Sequence, residues 1–292
     1  MIILLSSKNY NDTDHNHGDC IIYIENGTAV IYDCGSEDHA KRAIDILNKN
    51  NINKATVILS HNDSDHFDGI PYLIEKGKVK ELYTILLLKY KDDILEAIDD
   101  KRRKRDSVGK SIKEIYSNIA SLSEKVTLKD VYEGGNNLPV SCEFIGPKYE
   151  YMIKAVAKGI DSRQGDTIDK ETIVNATSVQ IKISTQGKTV LLTGDCTPEA
   201  IPEIVDLKKY DYIQLPHHGK YIHAASIFER TKNANHIVYL VSDNTGTSNG
   251  GSDELMKNSK GHRIKNTKSG DTSLNLSTSH ISLPYTGVSL GI

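Results

Sequence analysis

Four times along this chain a short apolar run of strand-forming residues ends on side chains that bind metals, and that recurrence restricts the fold more than any other feature. The run CIIYIENGTAVIYDC at 20–34 closes on Asp33, and the run at 55–59 opens into SHNDSDHFDG at 60–69. The run at 189–193 delivers Gly194 and Asp195, and the run at 212–215 ends at Pro216-His217-His218-Gly219. Strands that release polar residues at the same end bring them together at one edge of a sheet, and convergence there is the economical expectation. The 60–69 loop is the densest case, with His61, Asp63, Asp65 and His66 within six positions. Imidazole with carboxylate suits zinc, manganese or iron, and two carboxylates beyond the needs of a structural zinc site point to more than one ion. Polar turns rich in Asn, Asp and Ser commonly bind nothing. Two histidines flanking two aspartates are much harder to obtain from such a turn. A calcium loop counted from Asp63 fails, because Phe67 and Asp68 stand where an oxygen ligand and a glycine are required.

Around these runs the pattern is that of a layered α/β domain. Asn26-Gly27 between two apolar runs predicts a hairpin. Residues 37–50 carry Ala40, Ala43, Ile44 and Leu47 at helical spacing behind Ser36 as a cap, and a second helix is expected over about 70–76. Alternating runs at 140–145, 178–183 and 189–193 predict strands, with further ones at 212–215 and 237–241. A helix is expected over about 198–207, entered through Thr197 and Pro198. Residues 150–172 are polar and read as a loop or short helix.

Residues 88–130 differ in character and read as a charged helical insertion within one domain spanning 1–292. Ile94, Leu95, Ile98, Ile112, Ile115 and Ile119 recur at helical spacing, interrupted by KRRKR at 101–105. That basic run is either a solvated helix face or a contact for the phosphates of a polyanion. Gly109-Lys110-Ser111 is not a P-loop, since Lys104 occupies the required upstream glycine position.

Composition excludes several classes. A net charge of -3 gives no global attraction to nucleic acid or anionic lipid. The apolar run after Met1 has the makings of neither a signal peptide nor an anchor, so no membrane association is expected. Cys20, Cys34, Cys142 and Cys196 are scattered without paired spacing, which argues against a disulfide framework and for a reduced, cytoplasmic setting.

The motifs together resemble the metallo-β-lactamase superfamily. Its usual His-x-His-x-Asp-His signature is here His61-x-Asp63-x-Asp65-His66, similar to the variant in the metallo-β-lactamase domain of bacterial competence DNA-uptake channels. Gly18-Asp19, Asp33-Cys34-Gly35, Asn175 with Ser178, Leu191–Asp195 and Leu215–Gly219 fit the same subgroup. The resemblance covers about 15–85 and 131–245. It implies an αββα sandwich with metals at the rim, His61 and Asp63 holding one ion, Asp65 and His66 the other, and Asp195 between them. One of His217 and His218 would complete the second site. No histidine lies between 67 and 194 to serve as the family's middle ligand, so Asn175 is the nearest stand-in, with a role in binding substrate. The subgroup's late Gly-His-Pro is absent, with Asn249-Gly250-Gly251-Ser252 in the corresponding stretch, and His262, further on, is either a substitute or a surface histidine.

The chemistry this implies is hydrolysis by a hydroxide activated between two divalent ions, zinc or manganese, about 3.5–4 Å apart. Asp63 in place of histidine shifts the preference towards manganese. Asp65 and His218 are the expected catalytic residues, the unused histidine of the pair serving a phosphate oxygen or the leaving group. Lys220 is either a phosphate contact or an exposed lysine. Asp33 is expected to orient a ligand, Cys34 and Cys196 to pack, and His15 and His17 either to approach the site or to lie in a polar loop before the first strand. The leading reading is a phosphodiesterase, a nuclease foremost, with nucleic acid or a nucleotide diester as partner. Hydrolysis of a small phosphodiester, ester or lactone is the second. The third is a sensor or effector subunit of a multi-protein defence system, with the 88–130 arm docking a partner protein or a second copy.

Overall fold

The computed structural model of the chain describes residues 1–7, 18–100, 102–134, 137–161, 167–242, 252–274 and 276; His15, His17, Lys101 and residues 249–251 lie outside them. Strands β1 (Ile2–Leu4), β2 (Ile21–Glu25), β3 (Thr28–Tyr32), β4 (Ala55–Ile58), β5 (Val79–Thr84) and β6 (Leu128–Asp130) build the first sheet. The second comes from β7 (Cys142–Gly146), β10 (Gln180–Thr185), β11 (Lys188–Leu192), β12 (Tyr212–Gln214), β13 (Val238–Val241) and β14 (Arg263–Asn266), with β8 (Thr167–Ile168) and β9 (Glu171–Thr172) forming a separate hairpin. The last strand, β15 (Thr272–Leu274), returns to the first sheet, whose order is β15-β1-β2-β3-β4-β5-β6. The second sheet runs β14-β13-β12-β11-β10-β7.

Period-two alternation divides the side chains of each sheet between two cores. In β3, Val30 and Tyr32 face the space between the sheets, while Ala29 and Ile31 pack outward with Ala40, Ala43 and Leu47 of α1 (Glu37–Lys49). In β11, Val190 and Leu192 point inward and Leu191 outward, towards Ala224 and Ile227 of the helix Tyr221–Arg230. Helices therefore cover the outer face of each sheet, and the layers run helix, sheet, sheet, helix.

Register places the ends of the key strands together. Strands β3, β4, β5 and β6 are parallel, with Tyr32 opposite Ile58, so Asp33 and the loop after β4 emerge at one edge. Strands β11, β12 and β13 are also parallel, with Leu191 opposite Ile213, so Asp195 and the His217-His218 pair emerge side by side.

Three stretches depart from the sequence reading. Residues 150–172 contain a full helix instead of a loop or short helix, Tyr149–Asp161, whose Met152, Ile153, Val156 and Ile160 are buried. Gly159, which weakens a helical reading, is there for packing: a Cβ on it would lie 1.9 Å from Ile173 Cδ1. The predicted helix at 198–207 is reduced to the short 3-10 turns Pro198–Ala200 and Leu207–Lys209, because Pro202 lacks the amide a helix would need. Within 88–130, helices Lys91–Ala97, Arg105–Ile115 and Ser117–Ala120 precede β6, so the end of that stretch is an edge strand of the first sheet.

The apolar positions of the arm are used inside the chain. Ile94, Ile98, Val108 and Ile112 belong to the core between the sheets, and Ile119 to the core under the first sheet. These apolar residues, expected to face a partner, pack within the chain. Arg102 pairs with Asp100, Arg105 with Asp92, and Arg103 donates to the Ile160 carbonyl. Among the described residues, no helix is long and apolar enough to cross a membrane.

Candidate metal centre

The chain reaches the sheet edge from β4 through Leu59 and Ser60 to His61, then turns at Asp63 into the single helical turn Ser64–Phe67, which carries Asp65 and His66. Opposite stands Asp195, just after Gly194, whose φ of +54° is left-handed and whose Cβ, were there one, would fall 2.8 Å from the Ser60 side chain. Only glycine allows that approach between the two sheets.

Each of four histidines is anchored through Nδ1 and aims Nε2 inward. Ser60 gives its one hydroxyl hydrogen to Asp33 Oδ2 at 2.7 Å, so it accepts from His61 Nδ1 at 2.8 Å. Ser178 Oγ lies 3.2 Å from the same nitrogen and accepts the backbone N–H of Asp195. His66 Nδ1 donates to Asp33 Oδ2 at 2.9 Å. His217 Nδ1 donates to Glu171 Oε1 at 2.7 Å, and His218 Nδ1 to the Ser242 carbonyl at 2.7 Å.

All four Nε2 atoms gather on one carboxylate. Asp195 Oδ1 lies 3.3 Å from His66 Nε2, and Oδ2 lies 3.9, 3.8 and 3.7 Å from those of His61, His217 and His218. Asp63 Oδ2 is 3.8 Å from His61 Nε2, and Asp65 Oδ2 is 3.8 Å from His66 Nε2 and 2.9 Å from His218 Nε2. Apart from that last contact these separations exceed hydrogen-bond length. They match ligand atoms sharing an ion, since bonds of about 2.0–2.2 Å set such atoms about 3–4 Å apart. His61 Nε2, His66 Nε2 and Asp195 Oδ1 are buried without a hydrogen-bond partner, a costly arrangement unless something else engages them. Asp19, His66, Asp195 and His218 form a buried group able to hold an ion.

Burial and mutual charge set the proton inventory. Burial, reinforced by His66, lowers His61 to about 3, so its ring is neutral and Nε2 carries a free lone pair. Burial raises Asp63 and Asp19 to about 6 each. For His218 burial acts downward, but Asp195 and Asp65 overcome it and raise the ring to about 10. The same carboxylates, against burial, hold His66 well above the usual histidine range, and the histidines in turn hold Asp195 well below the usual carboxylate range.

The histidine pair reaches its place through unusual backbone. His217 (φ 51°, ψ 60°) and His218 (φ 51°, ψ 27°) are both left-handed, which neighbouring non-glycine residues rarely adopt. The result is that two consecutive rings, 72° apart in plane, both point Nε2 at Asp195.

Glu171 is the residue sequence reading missed. Its Oε1 accepts from His217 Nδ1 and His223 Nε2, at 2.7 and 2.8 Å, and from Lys220 Nζ, while Oε2 accepts from Asn175 Nδ2 at 3.2 Å. Donors on three sides overcome the effect of burial and keep it ionised far below the usual range. Asn175, expected to bind substrate, and Lys220, expected to be a phosphate contact or an exposed lysine, both donate to Glu171. His262 stacks on Phe228 with ring centroids 3.8 Å apart and is not among the ligand groups, and Cys196 is buried in the core under the second sheet. A short-range signal for Glu171 was absent, because it precedes the histidine pair by 46 positions and sits on a two-residue strand.

A family model described as metallo-beta-lactamase superfamily matches residues 14–146. No curated protein matches the chain. Among solved structures, the metallo-beta-lactamase fold protein YhfI from Bacillus subtilis aligns over 92% of this chain and 97% of its own, with a TM-score of 0.52 and 13% identity. A diphosphatase from the PhnP family aligns over 95% and 99% (TM-score 0.48, 15% identity). Zn(2+)-bound PqqB from Methylobacterium extorquens aligns over 94% and 100% (0.48, 14%). At such identities the likeness is one of fold.

Proposed function

We propose that this chain, which carries a metallo-β-lactamase superfamily domain over residues 14–146, is a metal-dependent hydrolase of phosphodiesters whose centre takes two divalent ions. The observation that carries the reading is the gathering of four Nε2 atoms within 3.9 Å of the Asp195 carboxylate, every ring anchored through its other nitrogen. His61, Asp63, Asp195 and His217 would hold the first ion, and Asp65, His66, Asp195 and His218 the second. His217 thereby fills the role left by the missing middle histidine. Two imidazoles and two carboxylates for each ion, with Asp195 shared, suit manganese as well as zinc. When bound, two such ions make water more acidic and offset charge on phosphoryl oxygens.

The protein's own groups do the rest. Asp33, Ser60, Glu171 and the Ser242 carbonyl fix each imidazole in the orientation that leaves Nε2 inward. Asp65, hydrogen-bonded to His218, holds a proton between the two groups until the ligands are engaged. Both histidines of the pair act as ligands in this reading, so neither is left over for the leaving group.

The nuclease reading drew on the shared His-x-Asp-x-Asp-His spacing and on the basic run. Arg102 and Arg105 are paired with Asp100 and Asp92, which reduces the positive charge the arm offers to a polyanion, and Arg103 is tied to the Ile160 carbonyl. That pairing favours a small phosphodiester as substrate over nucleic acid. The test is a cleavage panel of single- and double-stranded DNA, RNA, cyclic nucleotides and a chromogenic diester, with manganese or zinc and with chelator. Metal-dependent diester cleavage lost in His61→Ala is expected. Absence of diester cleavage in every metal, with an ester or lactone turned over instead, would overturn it.

A further inference from the structure

The loop holding His61 and Asp63 is tied to the helical arm by a closed set of hydrogen bonds. Asn62, between the two ligands, turns its amide away from the centre. Its Nδ2 donates to the Ile115 carbonyl and to Asn118 Oδ1, both at 2.9 Å. Asn118 Nδ2 returns a hydrogen bond to the Asn62 carbonyl at 3.0 Å. Ile115 ends the helix Arg105–Ile115, where carbonyls lack partners within their own helix and accept readily from outside. Beside this clasp Ile112 is buried in the core between the sheets and Ile119 in the core under the first sheet, so the arm's side of it is fixed in both.

Asp63 needs such support more than its neighbours do. The four histidines are each anchored through Nδ1, whereas the Asp63 side chain is 45% exposed and makes no capping hydrogen bond to its helical turn. Its place depends on the backbone of the loop, and the clasp grips that backbone one residue earlier.

We propose that Asn118 is a positioning residue for the first ion, acting through Asn62 to hold Asp63 beside His61, and that the helical arm is thereby coupled to the occupancy of that ion. The proposal rests on the two-ion reading. It assigns the arm a role in completing the centre instead of docking a partner or binding phosphates. Because coupling is reciprocal, loading the first ion must also stabilise the arm.

The experiment titrates chelator-stripped protein with manganese, counting bound ions for wild type, Asn118→Ala, Asn62→Ala, the double variant and Lys110→Ala as a control on the exposed face of the arm. Wild type and control are expected to bind two ions. Asn118→Ala is expected to bind one tightly and the other at least ten-fold more weakly, with the double variant no worse than either single one. Hydrogen exchange of wild type, which avoids any folding defect in the variants, is expected to slow at 105–120 as the ions load. Two ions bound with unchanged affinity by a folded Asn118→Ala, or exchange at 105–120 that ignores the metal, overturns the clasp. A wild type that binds no ion overturns the two-ion reading itself.

Discussion

His217 Nδ1 lies 2.7 Å from Glu171 Oε1, and the other nitrogen of the same ring lies 3.8 Å from Asp195 Oδ2. One ring thus joins a buried carboxylate outside the centre to the carboxylate at its middle. Removing the negative charge outside weakens the ring as a ligand and frees its orientation. Glu171→Gln is expected to lower the affinity for the first ion about 10–100-fold, with the second ion retained. Competition with a chromogenic chelator measures this, and unchanged affinity for both ions would remove Glu171 from the account.

Proton competition gives the centre a definite pH dependence. In the metal-free protein His218 is raised to about 10, burial being overcome by Asp195 and Asp65, so an ion must displace its proton. Affinity should climb as pH rises from 6.5 towards 10, and calorimetry in two buffers of different ionisation enthalpy should show proton release on binding. The stability effect has the opposite sign. A histidine raised above its unfolded value stabilises fully below about 6.5 and loses that contribution as pH passes about 10. Thermal unfolding of chelator-treated protein should therefore shift downward across this window, and a flat profile would contradict the pairing of His218 with Asp65.

Metal addition should stabilise the fold in proportion to occupancy. At 100 times the dissociation constant one bound ion adds about 2.7 kcal/mol. Wild type is expected to show a clear rise in melting temperature with manganese or zinc. Asp195→Asn, which weakens the shared carboxylate, should show little of it, and an equal rise in both proteins would place the ion elsewhere.

Gly194→Ala is expected to destabilise the protein by roughly 2 kcal/mol or more, combining the left-handed backbone cost with a Cβ 2.8 Å from Ser60 and 3.1 Å from the Tyr32 hydroxyl. The same collision would push Ser60 away from His61 and Asp33. Denaturant unfolding reads the first effect, and a metal titration of the folded fraction reads the second. A variant as stable as wild type would mean that the two sheets do not meet here as tightly as the structure has them.

Much of this centre was legible because short-range chemistry encodes it. The Asn26-Gly27 hairpin, the apolar run before His61 and the alternation in β11 are local patterns, and local patterns survive in a sequence. The left-handed conformation of both His217 and His218 is different in kind. Nothing in Pro-His-His-Gly distinguishes it from a turn that presents one histidine, which is why one inward-facing ring was expected where the structure turns two towards Asp195. Glu171 was invisible for a related reason: its value lies in four donors gathered from Asn175, His217, Lys220 and His223, a relationship made by folding alone. Asn62 carried no signal of its own in the sequence, and its partner Asn118 lay in the stretch read as a charged helical insertion.

The left-handed dipeptide has one more implication. Because His217 and His218 are joined by a single peptide bond and both bring Nε2 to within 3.8 Å of the same Asp195 oxygen, neither ring can retreat without dragging the backbone of the other. Any force on this turn, from a bound molecule or from the helix that follows, is felt by both halves of the centre in the same motion. The turn closes at Gly219, where φ is +79° and a Cβ would lie 2.7 Å from Leu255, so the backbone that carries both rings is itself packed in place.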